Sequence, residues 1–326
     1  MVLMRAIRVR EFGGSEVLVP EEVPDPVAGP GQVVVALAAA DVIYLDTLLR
    51  RGWGGDVFPV RPPYVPGGGG AGRVLSVGEG VDPAWLGRHV AARRFGGGYA
   101  ERMAADVTEV VEVPEGVSSA QAAAVLHDGV TALSLARLAK IARGEWVLVA
   151  AAAGGAGSLL VQMARDAGAR VVAAARGGRK LALARELGAE AVVDYSADGW
   201  QHRVREAAGG AGVDLAFDGA GGDLGRAAFD TVAEDGRFVT YGTSGGAFTD
   251  IDPRLAAERR IRVTNALADG PPDRATVRDL LAQALTLTAR GRIRPVVGAT
   301  HPLDRAADAH TSLERRTTVG KSLLLV

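Results

Sequence analysis

The sequence predicts an α/β fold in which a doubly wound parallel sheet is inserted into a small β-barrel-type domain. Three observations carry that expectation. Residues Trp146 to Gly157 read W-V-L-V-A-A-A-A-G-G-A-G, a buried strand followed by a glycine turn and a helix start. Strand and helix patterns then alternate as far as residue 265. Short strands broken by Gly and Pro fill residues 1 to about 118, and an apolar strand at Lys321 to Val326 returns to that first domain. A length of 326 residues suits two domains, here 1–118 with 269–326, and 119–268.

The elements follow in order. Arg5 to Arg10 alternates and stops at Gly13-Gly14, and Gln32 to Ala40 and Arg73 to Val77 are strand-like. Val90 to Phe95 and Tyr99 to Ala104 suggest a hairpin around Gly96–Gly98, and Val107 to Val113 ends at Pro114. Ser118-Ser119 caps a long helix expected from Ala120 to about Ile141. After the Trp146–Ala150 strand, Leu159, Leu160, Met163, Ala164 and Ala167 form one helical stripe, closed by Gly168. A second unit repeats the pattern: strand Arg170–Ala175, helix from about Gly178 to Leu187, strand Ala191–Asp194. Strands at Val213–Phe217, Arg237–Gly242 and Ile261–Asn265 complete the sheet. A proline-rich linker, Asp269–Asp273, leads to an amphipathic helix from Arg274 to Arg290 with Val277, Leu280, Leu281, Ala284 and Leu287 aligned.

Composition narrows the function. The formal net charge is −1, which gives no electrostatic case for nucleic acid or an anionic membrane. There are no cysteines, hence no disulfide, no thiolate metal site and no cysteine nucleophile. The first residues hold no apolar run long enough for a signal peptide or a membrane span, so a cytoplasmic protein is expected.

The turn after the Trp146 strand has the form Ala151-x-x-Gly154-x-x-Gly157 rather than G-x-G-x-x-G. Glycines also mark plain bends, but strand, turn and helix together point to a dinucleotide site. There Ala153, Gly154, Gly155, Ala156 and Gly157 let the backbone approach a pyrophosphate at the helix N-terminus. An NAD site usually carries Asp or Glu at the end of the second strand. Here that strand ends in Arg176, followed by Gly177-Gly178-Arg179-Lys180. A carboxylate is replaced by three cations, which favours the 2′-phosphate of NADPH.

Several further stretches carry a family resemblance over nearly the whole chain. They are Ile7-x5-Gly-Gly-x-Glu-Val-Leu, Pro66-Gly67 with Gly70-Ala71-Gly72, Val77-Gly-x-Gly-Val and Gly98-Tyr99-Ala100-Glu101. The Ala151–Gly157 turn, Gly188-Ala189 with Asp194-Tyr195, and the final Gly320-Lys321 complete the set. The chain resembles a medium-chain dehydrogenase/reductase of the zinc-free quinone oxidoreductase branch. The resemblance implies a GroES-like substrate domain joined to a Rossmann domain, and NADPH-dependent reduction of quinones or activated alkenes. It places Lys180, Tyr195 and Arg316 on the cofactor's phosphate. It places Thr131 and Gly242-Thr243-Ser244 near the nicotinamide.

Zinc relatives carry a His-Glu pair where this chain reads Gly68-Gly69, and a Cys where it reads Ile43. His127 falls near the remaining ligand position, and one imidazole does not hold zinc. No metal site is expected. The branch also places an Asn at Ile43 and a tyrosine at Leu48, both lost here. Tyr44, Thr47 and His127 remain as donors for an oxyanion, and Asp46 is expected to cap the following helix. His301 and His310 have no partner spacing and are expected at the surface. Two alternatives stay open. One is an enoyl reductase for a CoA- or carrier-bound acyl chain, entered past Arg50-Arg51 or Arg93-Arg94. The other is a non-catalytic NADPH-binding protein. The partner is expected to be a small molecule, and the alternating edge strand Ile261–Asn265 suits a homodimer.

Overall fold

The computed structural model describes residues 2–55, 58–268, 270 and 272–326. Asp269 and Pro271 of the proline-rich linker lie outside the described residues. The chain divides into two units: Met1–Val130 with Asp273–Gly291 and Pro295–Val326, and Thr131–Pro272 with Arg292–Arg294.

The first unit opens with β1 (Leu3–Arg8), β2 (Val19–Pro24), β3 (Gln32–Val42), α1 (Tyr44–Arg50), β4 (Gly69–Val77), β5 (His89–Arg93), β6 (Arg102–Asp106), β7 (Val110–Glu112) and α2 (Ser119–Val125). α3 (Asp128–Ala139) leads into the second unit. That unit holds β8 (Trp146–Ala150), α4 (Gly155–Asp166), β9 (Arg170–Ala175), α5 (Gly178–Glu186), β10 (Ala191–Asp194), α6 (Trp200–Ala207) and β11 (Val213–Asp218). It continues through α7 (Gly222–Asp230), β12 (Val232–Thr240), α8 (Pro253–Glu258) and β13 (Arg262–Asn265). The first unit then resumes with α9 (Arg274–Ala289), β14 (Val297–Pro302), α10 (Ala306–Glu314) and β15 (Lys321–Leu325).

In the second unit the strand order is β10-β9-β8-β11-β12-β13, and every described pairing is parallel. That is the order of a Rossmann sheet, with its switch point between β8 and β11. A parallel strand covered on both faces is apolar throughout, and Val147, Leu148 and Val149 are each 0% exposed.

The first unit is organised by β3. Its first half, Gln32–Ala36, pairs antiparallel with β6; its second half, Ala39–Val42, pairs with β15. The other edge of β3 takes β4 along most of its length. The returning C-terminal strand is therefore where the sequence places it.

Three expectations are corrected. β5 and β6 are not a hairpin: β5 sits between β4 and β7, and β6 lies on β3. The backbone between them is already committed, since Tyr99 O accepts from Ile7 N (2.8 Å) and Glu101 O accepts from Leu37 N (3.0 Å). The single helix expected over 120–141 is two helices, broken at Leu126–His127. Side chains at the break are taken by buried partners on β3 and β15, which local periodicity does not reveal. The first boundary also lies later than residue 118, because α2 packs its buried face, Ala122–Val125, on β3, β4 and β5.

Candidate active site

The second unit presents its predicted residues in loops after the carboxyl ends of β8, β9, β10 and β12. Beyond β8, Ala151 takes φ +58° and its carbonyl accepts from Gly154 N at 3.0 Å. A side chain at Gly157 would put its Cβ 2.4 Å from the Ala151 carbonyl oxygen, so only glycine lets α4 start this close to the strand. The opening amides of α4 have no carbonyl within the helix to bind, a geometry that suits an anion. Gly242 is equally confined, with a would-be Cβ 2.3 Å from Gly219 O. Next to it Ser244 Oγ donates to that same carbonyl at 3.2 Å, and Thr243 is half-buried.

Arg176 and Arg179 are exposed, and Lys180 is half-buried in the first turn of α5. The neighbouring carboxylate, Asp194 at the end of β10, is occupied. It accepts from Gly177 N (3.0 Å), Ser196 N (2.9 Å) and Ser196 Oγ (2.5 Å). The Ser196 hydroxyl leads the interactions that hold its carboxyl below the usual range. Tyr195 lies edge-on to Trp200, ring centroids 6.2 Å apart. Thr131 is half-buried in α3 within the second unit. Arg316 belongs to the first unit, just past α10, with φ +57°.

The first unit contains a buried ionic cluster that the sequence reading missed. Asp41 near the end of β3 is 1% exposed. His127 Nδ1 lies 2.6 Å from Asp41 Oδ2, and Lys321, the first residue of β15, forms an ion pair with Asp41 Oδ1. Lys321 Nζ also lies 2.8 Å from Asp128 Oδ2. Burial works against each charge. At Asp41 it is outweighed by the Lys321 ammonium and by His127, which hold the carboxyl below its usual range. At Lys321 it is outweighed by Asp128 and Asp41, which hold the ammonium above the usual lysine range. Two signals for this cluster stand in the sequence: an aspartate inside the otherwise apolar run Ala38–Val42, and one of only three lysines heading the last strand. Gly68 completes the arrangement. A Cβ there would fall 2.6 Å from His127 Cε1 and 2.8 Å from Nε2, so glycine at the relatives' ligand position is what admits the imidazole.

α1 carries the other candidates. Asp46 accepts from Ile43 N at 3.0 Å, but it does so from inside the first turn of α1, which starts at Tyr44 with Ile43 as its N-cap, rather than from ahead of the helix as expected. Thr47 Oγ1 donates to Tyr44 O at 2.7 Å and is 1% exposed, so its proton is spent inside the helix. Tyr44 is half-buried. Behind them runs a second buried chain. Tyr99 Oη donates to Asp46 Oδ2 (3.0 Å) and contacts His310 Nε2 (2.9 Å). His310 Nδ1 contacts Arg50 (3.3 Å), which pairs with Glu314. Arginine only donates, so His310 Nδ1 accepts, Nε2 carries the hydrogen, and Tyr99 passes its own to Asp46. Burial, then Arg50, pushes His310 down to about 3, which keeps it neutral. Burial is also the first cause that pushes Asp46 up to about 6.

Two sequence expectations fall here. His310 is not at the surface but 0% exposed, and His301 is half-buried. Arg50 is likewise 0% exposed and fully engaged, so it is no part of a basic entrance. Among the described residues, no group of three or more His, Cys, Asp or Glu is placed to hold a metal ion. No helix of the described residues is long and apolar enough to cross a membrane.

The second unit is a parallel sheet of nucleotide-binding type and the first holds a buried acid–base cluster, the parts expected of an oxidoreductase. Comparison with known proteins agrees. The family described as "Alcohol dehydrogenase GroES-like domain" matches residues 29–115, and the one described as "Zinc-binding dehydrogenase" matches residues 155–286. A quinone oxidoreductase from Pseudomonas aeruginosa is 32% identical over 99% of this chain and 100% of its own length. A 2-haloacrylate reductase from a Burkholderia species is 30% identical over 99% of both chains. Among solved structures, the Escherichia coli quinone oxidoreductase complexed with NADPH matches with a TM-score of 0.91 and 28% identity, covering 99% of this chain and 100% of that one. The chain belongs to the quinone oxidoreductase branch of the medium-chain dehydrogenase/reductase superfamily.

Proposed function

We propose that this chain reduces an α,β-unsaturated carbonyl compound or a quinone with NADPH, without a metal ion. The observation that carries the reading is His127. It is an imidazole pinned on a buried carboxylate, in a unit where the relatives' zinc-ligand positions hold Gly68, Gly69 and Ile43. Without a metal to acidify an alcohol, reduction of an electron-poor C=C or quinone is the accessible chemistry, because the substrate is its own electron sink.

The donor set fits NADPH. The α4 N-terminus takes the pyrophosphate, and Lys180 with Arg176 takes the 2′-phosphate, because Asp194 is already saturated by Gly177 and Ser196. Thr131 and Gly242–Ser244 border the nicotinamide, and Tyr195 and Arg316 lie on the phosphate side. When bound, NADPH supplies a hydride and its two electrons. Hydride addition leaves negative charge on the substrate oxygen, which needs a hydrogen-bond donor and then a proton. His127 Nε2 supplies the proton, and the Tyr44 hydroxyl is a second donor. Thr47 is unsuited, since its hydrogen is already donated within α1.

The relative named 2-haloacrylate reductase favours an activated alkene. For a carrier-bound thioester, Arg50 is buried, which leaves Arg51 and Arg94 as the exposed cations of the two pairs. We also propose a homodimer through β13, whose described pairings give it one partner, β12. The function is tested by NADPH oxidation against a panel of enones, 2-haloacrylates, quinones and enoyl thioesters, before and after exhaustive chelation. Turnover of an enone or quinone that survives chelation is expected. Loss of activity on chelation, restored by zinc, would overturn the metal-free reading.

A further inference from the structure

We infer that Asp41 is the positioning residue of this reaction: clamped by Lys321, it fixes His127 in the Nδ1–H form and leaves Nε2 as the nitrogen that hands a proton to the substrate. This rests on the reading of His127 as the proton donor.

The geometry determines the tautomer. Asp41 is ionised, so its oxygens only accept, and the nitrogen 2.6 Å from Oδ2 must carry the hydrogen. Asp41 cannot turn away to serve another donor, because its second oxygen is paired with Lys321. Lys321 is 4% exposed and shared with Asp128, so its ammonium clamps the carboxylates and does not reach substrate. On its other edge the ring lies against Gly68. It is thus held at one nitrogen by a carboxylate and at the opposite edge by backbone. The His127 side chain is 19% exposed whereas that of Asp41 is 0% exposed, and no partner for Nε2 is seen among the described residues.

The chemistry follows. A neutral Nδ1–H ring has a bare Nε2 and cannot donate there, so the donor is the imidazolium. A bound nicotinamide would supply the hydride for a C–H bond at the β-carbon, and the electron pair displaced through the conjugated system would rest on the carbonyl oxygen as an enolate. The Nε2–H bond then breaks, its proton goes to the enolate, and His127 takes a new proton from water. Charges facing the pair are Lys321 on β15, Asp128 on α3, Asp46 on α1 and Arg93 on β5. With Asp41 and a neutral ring, these five groups sum to −1; a protonated ring brings the sum to zero. The proton therefore shuttles between two states in which no positive charge is left uncompensated in the core.

Asp41→Asn tests the inference in the NADPH-loaded enzyme. The amide keeps shape but loses the obligate acceptor. The expected result is a kcat about 100-fold lower, a contribution typical of a positioned acid, with KM and NADPH affinity within about twofold. In a His127→Ala background the same substitution should cost nothing more. An equal loss in that background would overturn the positioning role. Nitrogen NMR of histidine-labelled wild-type protein needs no variant and covers the case in which Asp41→Asn fails to fold. A neutral His127 protonated at Nδ1 is expected, and protonation at Nε2 alone would overturn the inference. Full activity of His127→Ala with the Nδ1–H tautomer intact would instead remove the donor reading and leave the tautomer standing.

Discussion

Asp46, Thr47 and Arg50 lie within a turn of one another on α1, and they differ in how far sequence reveals them. The Asp46 bond is a local event, three residues from Ile43 N, which sequence reveals as a cap but not in its position inside the first turn. The Thr47 bond to Tyr44 O is also local, but it cancels the donor role that residue type alone suggests. Arg50 is not legible at all: its partners Gly13, His310 and Glu314 are distant in the chain, and only the fold turns a surface-looking Arg-Arg pair inward. Asp41 and Lys321 stand out in the sequence as charges in apolar strands, but their pairing exists only once β3 and β15 meet. One consequence is measurable. Asp46 is pushed up to about 6 from an ordinary 3.8, by burial first and the nearby Asp41 charge second. The folded state therefore holds this proton more tightly than the unfolded chain does. Its contribution is complete below the ordinary value and is lost as pH rises through about 6, a cost of about 3 kcal/mol at neutral pH. Asp46→Asn keeps an acceptor for Ile43 N and Tyr99. Denaturant unfolding should show the variant equal to wild type near about pH 4 and more stable by up to about 3 kcal/mol at about pH 7. The same difference at both values would refute the assignment.

Among the elements, sequence is informative where one segment specifies itself. β8, the glycine turn and α4 are local: an apolar strand, a turn that Gly157 alone fits, and an apolar stripe. α9 is equally plain, with Val277, Leu280, Leu281 and Ala284 buried as spaced, although the aligned Leu287 is only half-buried and Leu285 is buried instead. It fails where a partner decides. The 94–101 segment looks like a hairpin turn, yet its backbone binds β1 and β3. The α2–α3 break lies within a continuous helical pattern, and the ion pairs of His127 and Asp128 coincide with it. β13 raises the remaining question at this scale. It is a sheet edge with Val263 39% exposed, and an unpaired edge of this kind is a liability that symmetric pairing removes. Light scattering at micromolar concentration should return twice the mass of one chain, and Val263→Lys should shift it toward the monomer. A monomeric wild type would remove the proposal.

For the whole molecule, the two units differ in how they encode function. The nucleotide unit announces itself in the sequence, because phosphate recognition uses backbone and a few cations at fixed places along consecutive strands. The acid–base cluster does not, because it is assembled from β3, the α2–α3 break and the last strand, residues 41, 127, 128 and 321. The losses at Ile43 and Leu48 removed the family's expected pocket polarity, and the sequence offered no replacement stronger than an isolated histidine. In the proposed reaction hydride comes from NADPH and adds to the β-carbon of the substrate. NADPH deuterated at the transferable C4 position, turned over with an enone in ordinary water, tests this most directly. The account predicts one deuterium at the β-carbon of the saturated product, a hydrogen at the α-carbon, and a far lower rate with NADH. Binding of NADPH without transfer of label to any enone or quinone would contradict it.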